Sequence, residues 1–195
     1  MIKFNGVNHL AMVTGDMDKT IRFWRDLLGM RLVAGLGKRG YRHYFFEISE
    51  NDLIAFFEWP GIEPVESKDH GRPVTGPFIF DHISFGVETE EELWQLKDNL
   101  SAAGFEVSNM IDHGFIHSIY LHDPNGIPIE FSWNVEGINI RKTPRMVDDQ
   151  PSNVTQEGSE PQLKKWPKVK IPTPPEKRTV YAGARSELFH GVKKS

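Results

Sequence analysis

Cysteine is absent from the 195 residues. That excludes disulfides, thiolate metal ligands and cysteine nucleophiles, and it fits a reducing compartment. No apolar run approaches the roughly 20 residues needed to span a bilayer. The opening stretch, MIKFNGVNHL, lacks the apolar core of a secretory signal. The expectation is a cytoplasmic protein with no membrane partner. Positive charge is not in excess, since the formal net charge is -4, so the global basic signature of a nucleic-acid binder is missing. There is no phosphate loop, no dinucleotide-binding glycine fingerprint and no GxSxG elbow. The glycines at 35, 37 and 40 superficially suggest phosphate binding, but no helix is expected after them; they read as a loop at a pocket mouth.

What is present divides in two. Residues 1–135 carry 11 Lys and Arg against 20 Asp and Glu, a balance of -9; residues 136–195 carry 12 against 7, a balance of +5. Seven of the 13 prolines follow position 135. This reads as a folded acidic domain over 1–135 and a basic, Pro-rich C-terminal extension over 136–195. The extension is expected to lie along the body or a neighbouring subunit, with Trp166, Val169, Ile171, Val180 and Tyr181 as apolar anchors.

The body contains a repeat. VNHLAMVTGDMDKTIRFWRDLLGMRLV and FDHISFGVETEEELWQLKDNLSAAGFEV each read as a short strand with a histidine, a turn, an amphipathic helix, a glycine and a new strand. In the first helix Ile21, Trp24, Leu27 and Leu28 form one apolar face. Asp16 is positioned to cap it, and Gly29 to end it. The second helix opens with Thr89 and Glu92, a capping-box pair, buries Leu93, Leu96 and Leu100, and stops at Gly104. Strand-like runs follow each helix: 31–34, 42–48 and 53–59, then 105–107, 116–121 and 127–133, with the Asp123-Pro124-Asn125-Gly126 turn before the last. The fold class is α+β. Two βαβββ modules, about 4–60 and 78–135, are expected to form a curved mixed sheet, joined by the Pro60–Pro77 linker.

Side chains alternate across a strand. His9 and His82 therefore point away from the large apolar residues that pack on each helix, with small neighbours, Ala11 and Ser84, beside them. Glu130 sits mid-strand in GIPIEFSW, where an unpaired buried carboxylate is costly. It needs a cation or a protonated state, and Arg42 is one candidate cation. The other is a metal, since two histidines and a carboxylate make a facial triad with open positions.

NHLAMVTGDMDKTIRFWRDLLGM, DHISFGV and SIYLHDPNGIPIEF resemble the vicinal-oxygen-chelate superfamily over about residues 4–135. That superfamily includes glyoxalase I, extradiol ring-cleaving dioxygenases, fosfomycin-inactivating enzymes and bleomycin-resistance proteins. The resemblance implies a divalent metal on His9, His82 and Glu130, within one chain or between two subunits of a homodimer. It also implies a small-molecule substrate with two adjacent oxygens. The fourth ligand of many members falls on Ala55 or Phe57 here, and Glu58 has the wrong parity, which argues against a glyoxalase I mechanism. Tyr120 matches a tyrosine near the substrate, and His113, in a loop shortly before it, is the first choice for an acid–base group, ahead of His43, His70 and His117. His122 is expected in solvent. Phe46, Phe57 and Phe78 are candidate pocket walls. The implied activity is extradiol-type ring cleavage with Fe(II). The alternatives are O2-independent lyase, isomerase or thiol- or water-adding chemistry with Mn(II), Ni(II) or Zn(II), and non-catalytic binding.

Overall fold

The computed structural model describes residues 7–38, 40–59, 61–64, 70–71, 73, 80–140, 142–144, 153, 156, 159 and 167–182. The chain forms two compact units, Met1–Ile138 and Asn139–Ser195.

The first unit contains the two modules. In the first, strand β1 (Leu10–Thr14) leads into helix α1 (Met17–Ile21), which continues as a π-helical run over Arg22–Leu27. Strands β2 (Leu32–Lys38), β3 (Tyr41–Glu47) and β4 (Leu53–Glu58) follow. The second module repeats the order with β5 (Ile83–Val87), α2 (Glu90–Ala102), β6 (Ile111–Asp112), β7 (Ile116–His122) and β8 (Pro128–Asn134). Each module makes a four-stranded mixed sheet, ordered β1-β4-β3-β2 and β5-β8-β7-β6. The first strand pairs parallel with the last, and the other pairs are antiparallel. The two βαβββ modules read from the sequence are therefore present.

Local chemistry explains the elements. Asp16 accepts from Lys19 N at the start of α1. Thr89 and Glu92 close both halves of a capping box on α2. Gly29 and Gly104, with φ of 75° and 89°, take the left-handed conformation that ends each helix. The π-helical run was not foreseen. Its wider turn lets the adjacent Phe23 and Trp24 both face inward, where both are buried. The 105–107 run lies outside the ladder, and pairing starts instead at Ile111; Ser108 N donates to Tyr120 O at 2.9 Å before that point.

One core joins the modules. Trp24 packs on Phe56 of its own module and Phe85 of the other, at centroid distances of 5.5 and 5.6 Å, and Phe23 meets Phe105 at 4.9 Å. A buried polar network reinforces this contact. Trp24 Nε1 donates to Asp123 Oδ2 at 3.3 Å, Thr14 Oγ1 to Asn125 Oδ1 at 2.7 Å, and Asn125 Nδ2 to Thr20 Oγ1 at 3.2 Å. Asp123 also accepts from the backbone of Asn125 and Ile127. Burial raises its carboxyl pKa most strongly, and these donors only partly offset the rise.

In the second unit, Pro175–Lys177 forms a 3-10 turn. Four expected anchors are exposed: Val169 (77%), Ile171 (85%), Val180 (96%) and Tyr181 (85%). Trp166 lies outside the described residues. Among the described residues, no helix is long and apolar enough to cross a membrane.

Candidate active site

The face of each sheet turned away from its helix carries the candidate chemistry. In the second module, pairing sets Ser84 and Tyr120 on either side of Glu130. His82 enters just before β5. Its Nε2 lies 3.1 Å from Glu130 Oε2, and its Nδ1 lies 2.6 Å from Asp81 Oδ1. Tyr120 Oη donates to Glu130 Oε1 at 3.0 Å. His113 Nε2 lies 2.7 Å from that same phenol oxygen. Because the phenol proton is spent on Glu130, the imidazole must supply the N–H. These bonds form one continuous row, Asp81–His82–Glu130–Tyr120–His113.

The electrostatics follow from burial. Glu130 is 4% exposed. Burial alone would raise its pKa and is the strongest influence. The hydroxyls of Ser118, Tyr120 and Ser84 and the charge of His82 together outweigh it, leaving Glu130 below the ordinary carboxylate range. Burial, and then the hydrogen bond and charge of Glu130, push the Tyr120 phenol up to about 12. His70 is lowered, chiefly by burial and then by the charges of His122 and His82. A cavity of about 560 Å³ opens here, bordered by His70, His82, Ser108, His113 and Tyr120.

His82 and Glu130 suit a divalent metal. An imidazole between two carboxylates needs either an N–H on each nitrogen or a cation between Nε2 and Glu130. Asp81 on Nδ1 is the outer carboxylate that commonly fixes the tautomer of a metal-bound histidine. Arg42 does not serve Glu130. It lies near Glu58 and Asp18, at 3.4 and 3.7 Å.

The third candidate ligand is elsewhere. His9 is exposed, lies 2.9 Å from Asn8 Oδ1 and meets the Phe45 ring edge-on at 5.5 Å. Among the described residues, no three His, Asp or Glu side chains converge as a metal site. The modules meet through Trp24, Phe85 and the Asp123–Asn125 turn.

The other expectations divide. Phe57 is half-buried on the His9 face, stacked on His43 at 3.6 Å. Phe46 is a correction. Its side chain falls on the opposite, helix-packed face with Phe56 and is fully buried, so it does not wall a pocket. The sequence run shows a strand here without showing which parity faces the helix. Phe78 lies outside the described residues. Ala11 pairs with Ala55 as Ser84 pairs with Glu130, so Ala55 holds the place of a second carboxylate. Glu58 accepts from Met17 N at 2.8 Å. His117 lies near Glu90 and Asp112. His122, expected in solvent, is half-buried 5.0 Å from His70. Asp81 escaped the sequence reading; its only signal was its place directly before His82.

Comparison with known proteins agrees with this architecture. The model described as the Glyoxalase/Bleomycin resistance protein/Dioxygenase superfamily matches residues 6–131. Lactoylglutathione lyase of Haemophilus influenzae is 26% identical over 131 residues, covering 65% of this chain and 90% of that protein. The "Putative ring-cleaving dioxygenase MhqA" of Bacillus subtilis is 30% identical over 79 residues, covering 40% and 25%. The crystal structure of a glyoxylase/bleomycin resistance protein/dioxygenase domain from Frankia sp. EAN1pec has a TM-score of 0.56 at 21% identity, over 68% of this chain and 99% of that one. With 126 of its residues covered by the family model, the chain belongs to the glyoxalase/bleomycin resistance protein/dioxygenase superfamily.

Proposed function

We propose that the protein is a divalent-metal enzyme acting on a small substrate with two adjacent oxygens, and that its reaction is extradiol-type ring cleavage. The row His82–Glu130–Tyr120–His113 carries this reading. His82 and Glu130 would hold Fe(II) together with His9 of a second copy in a homodimer, because the three do not converge among the described residues of one chain. When bound, that ion would supply Lewis acidity toward the substrate hydroxyls and activation of O2.

The protein's own groups have distinct tasks. Glu130 stays ionised because its pKa is lowered. Tyr120, with a pKa of about 12, keeps its proton at neutral pH; with a metal ion on Glu130, that proton would be released from its bond to the carboxylate for donation to a substrate oxygen. His113 fixes that phenol and offers an acid–base group one hydrogen bond away. Phe57 borders the substrate from the other module.

A second reading has specific support. The similarity to a lactoylglutathione lyase favours O2-independent chemistry with Mn(II), Ni(II) or Zn(II). Ala55 weighs against its proton-transfer form, since no second carboxylate stands there.

The test is anaerobic purification, Fe(II) loading and metal analysis, then O2 uptake on a panel of catechols. Substrate-dependent O2 consumption supports ring cleavage. No consumption with iron fully loaded refutes it in favour of the second reading. His82→Ala should abolish metal retention, and unchanged metal content in that variant would refute the site.

A further inference from the structure

The segment that joins the modules reaches into the cavity of the second. His70 lies on it, with ring centroids 4.9 Å from Tyr120, 5.0 Å from His122 and 5.8 Å from His82. Together with Gly71 it borders the cavity that His82, His113 and Tyr120 also line. A segment that only bridged two modules would run over the surface. This one delivers a ring to the candidate site.

One atom ties that segment to the site. Asp81 Oδ1 accepts from Gly71 N at 2.9 Å and from His82 Nδ1 at 2.6 Å. An ionised carboxylate only accepts, so both nitrogens turn a proton toward it. The same oxygen therefore fixes the imidazole of a candidate metal ligand and the backbone beside His70. Gly71 has a φ of 67°, a left-handed conformation that glycine adopts without steric cost. Beyond its chain neighbours, a Cβ there would meet no described atom within 4 Å, so alanine would disturb the backbone alone.

We propose that Asp81 is a positioning residue that couples His82 to the joining segment, so that occupation of His82 by a metal and the placing of the His70 wall are linked. This rests on the divalent-metal reading above. A cation on His82 Nε2 draws charge from the ring and makes its Nδ1–H a stronger donor to Asp81. That bond orients the carboxylate oxygen that Gly71 also uses. The coupling is reciprocal: whatever holds the turn tightens metal binding, and metal binding holds the turn. His70 itself ligates nothing. It narrows the way to the metal, so it governs how fast ions enter and leave, while the ligands govern how tightly they are held.

The experiment uses the full-length protein and Co(II), whose visible absorption reports its binding. Amide hydrogen exchange at residues 70–71 is followed by mass spectrometry with and without the ion. In wild type, Co(II) should slow exchange there. Asp81→Ala should weaken Co(II) affinity by about tenfold or more, the usual scale for a group that orients a metal-binding histidine, and should speed exchange at 70–71 even without metal. Asp81→Asn, which keeps an acceptor oxygen and loses the charge, should restore slow exchange but not affinity. Gly71→Ala touches no candidate ligand, yet should weaken Co(II) affinity by about threefold to tenfold. His70→Ala should speed both the uptake of Co(II) and its removal by EDTA, with the dissociation constant unchanged. Wild-type Co(II) affinity in Gly71→Ala, exchange at 70–71 indifferent to Co(II) and to Asp81→Ala, or unchanged rates in His70→Ala overturns this proposal and leaves the metal reading standing. Wild-type protein that binds no Co(II) overturns both.

Discussion

Replacing Asn125 with alanine tests whether the buried turn network holds the two modules together. The side chain makes three bonds: Oδ1 accepts from Thr14 at 2.7 Å, and Nδ2 donates to Thr20 at 3.2 Å and to Asp123 at 2.9 Å. Thr14 and Thr20 are fully buried, and Asp123 is nearly so. The Asn125 backbone N–H would still donate to Asp123, so the turn itself should survive. Two neutral bonds at about 1 kcal/mol each, and one to a carboxyl at about 1.5 kcal/mol, total roughly 3.5 kcal/mol. That is a large part of the usual 5–15 kcal/mol of stability. At about 2–4 °C per kcal/mol for a protein of this size, Tm should fall by about 7–14 °C. The near-ultraviolet signal of Trp24 should weaken with it, because that indole spans the same junction. Asn125→Asp supplies the control. It keeps the acceptor for Thr14 but sets a second carboxyl against Asp123, so at neutral pH it should cost more than alanine. Urea and thermal melts of the three proteins give the answer. A change under about 0.5 kcal/mol in Asn125→Ala would refute the claim that this network couples the modules.

Three further outcomes follow from single groups. Thr89→Ala removes half of the capping box on α2 and should cost about 1 kcal/mol in a urea melt; an unchanged midpoint would argue that the first turn is held by packing alone. Tyr120→Phe should delete the late tyrosinate step near pH 12 from an ultraviolet alkaline titration, and a step surviving in the variant would assign it to another tyrosine. Asp123 has a folded pKa above its ordinary 3.8, so the folded state binds this proton more tightly than the unfolded chain. Its contribution is fully present below that value and is lost as pH rises through the folded pKa. The stability difference between wild type and Asp123→Asn should therefore move in favour of wild type on acidification from pH 7 toward 4, and a flat difference would refute the raised pKa.

Much of this was legible from residue order. The capping box, the helix-ending glycines and the strand parity of His82 and Glu130 depend on neighbours within a few positions, where local geometry decides the outcome. The missing carboxylate of the first module was legible too, but residue order left Ala55 and Phe57 as alternatives, and only the pairing of β1 with β4 decides for Ala55. The failures are of another kind. Phe46 was misplaced because a strand with aromatics on both parities, YRHYFFE, does not reveal which face meets the helix. Whether His9 joins His82 within one chain or across two was left open by the sequence, because it depends on how two modules pack. That is set by a few long-range contacts, Trp24 with Phe85 and Thr14 with Asn125, that no local pattern announces. Asp81 was missed because an acid next to a histidine is common, and only the fold shows that it bonds to Nδ1.

The divergence of the two modules bears on function more than their likeness does. A repeat with identical faces would place a carboxylate at Ala55 as well as at Glu130, and a phenol at Phe45 as well as at Tyr120. Instead one face has lost every hydrogen-bonding side chain at these paired positions except His43 and gained a ring stack. The other has kept Ser84, Ser132, Tyr120 and Glu130 in bonding distance of one another or of a histidine. Both faces rest on sheets of the same strand order, so the backbone does not impose the difference. A face that only packed against solvent would not need a buried imidazole flat on a phenylalanine, and a face that only stabilised the fold would not need a carboxylate inside a row of histidines. The asymmetry supports the reading proposed above, in which the carboxylate-bearing face handles protons and a cation.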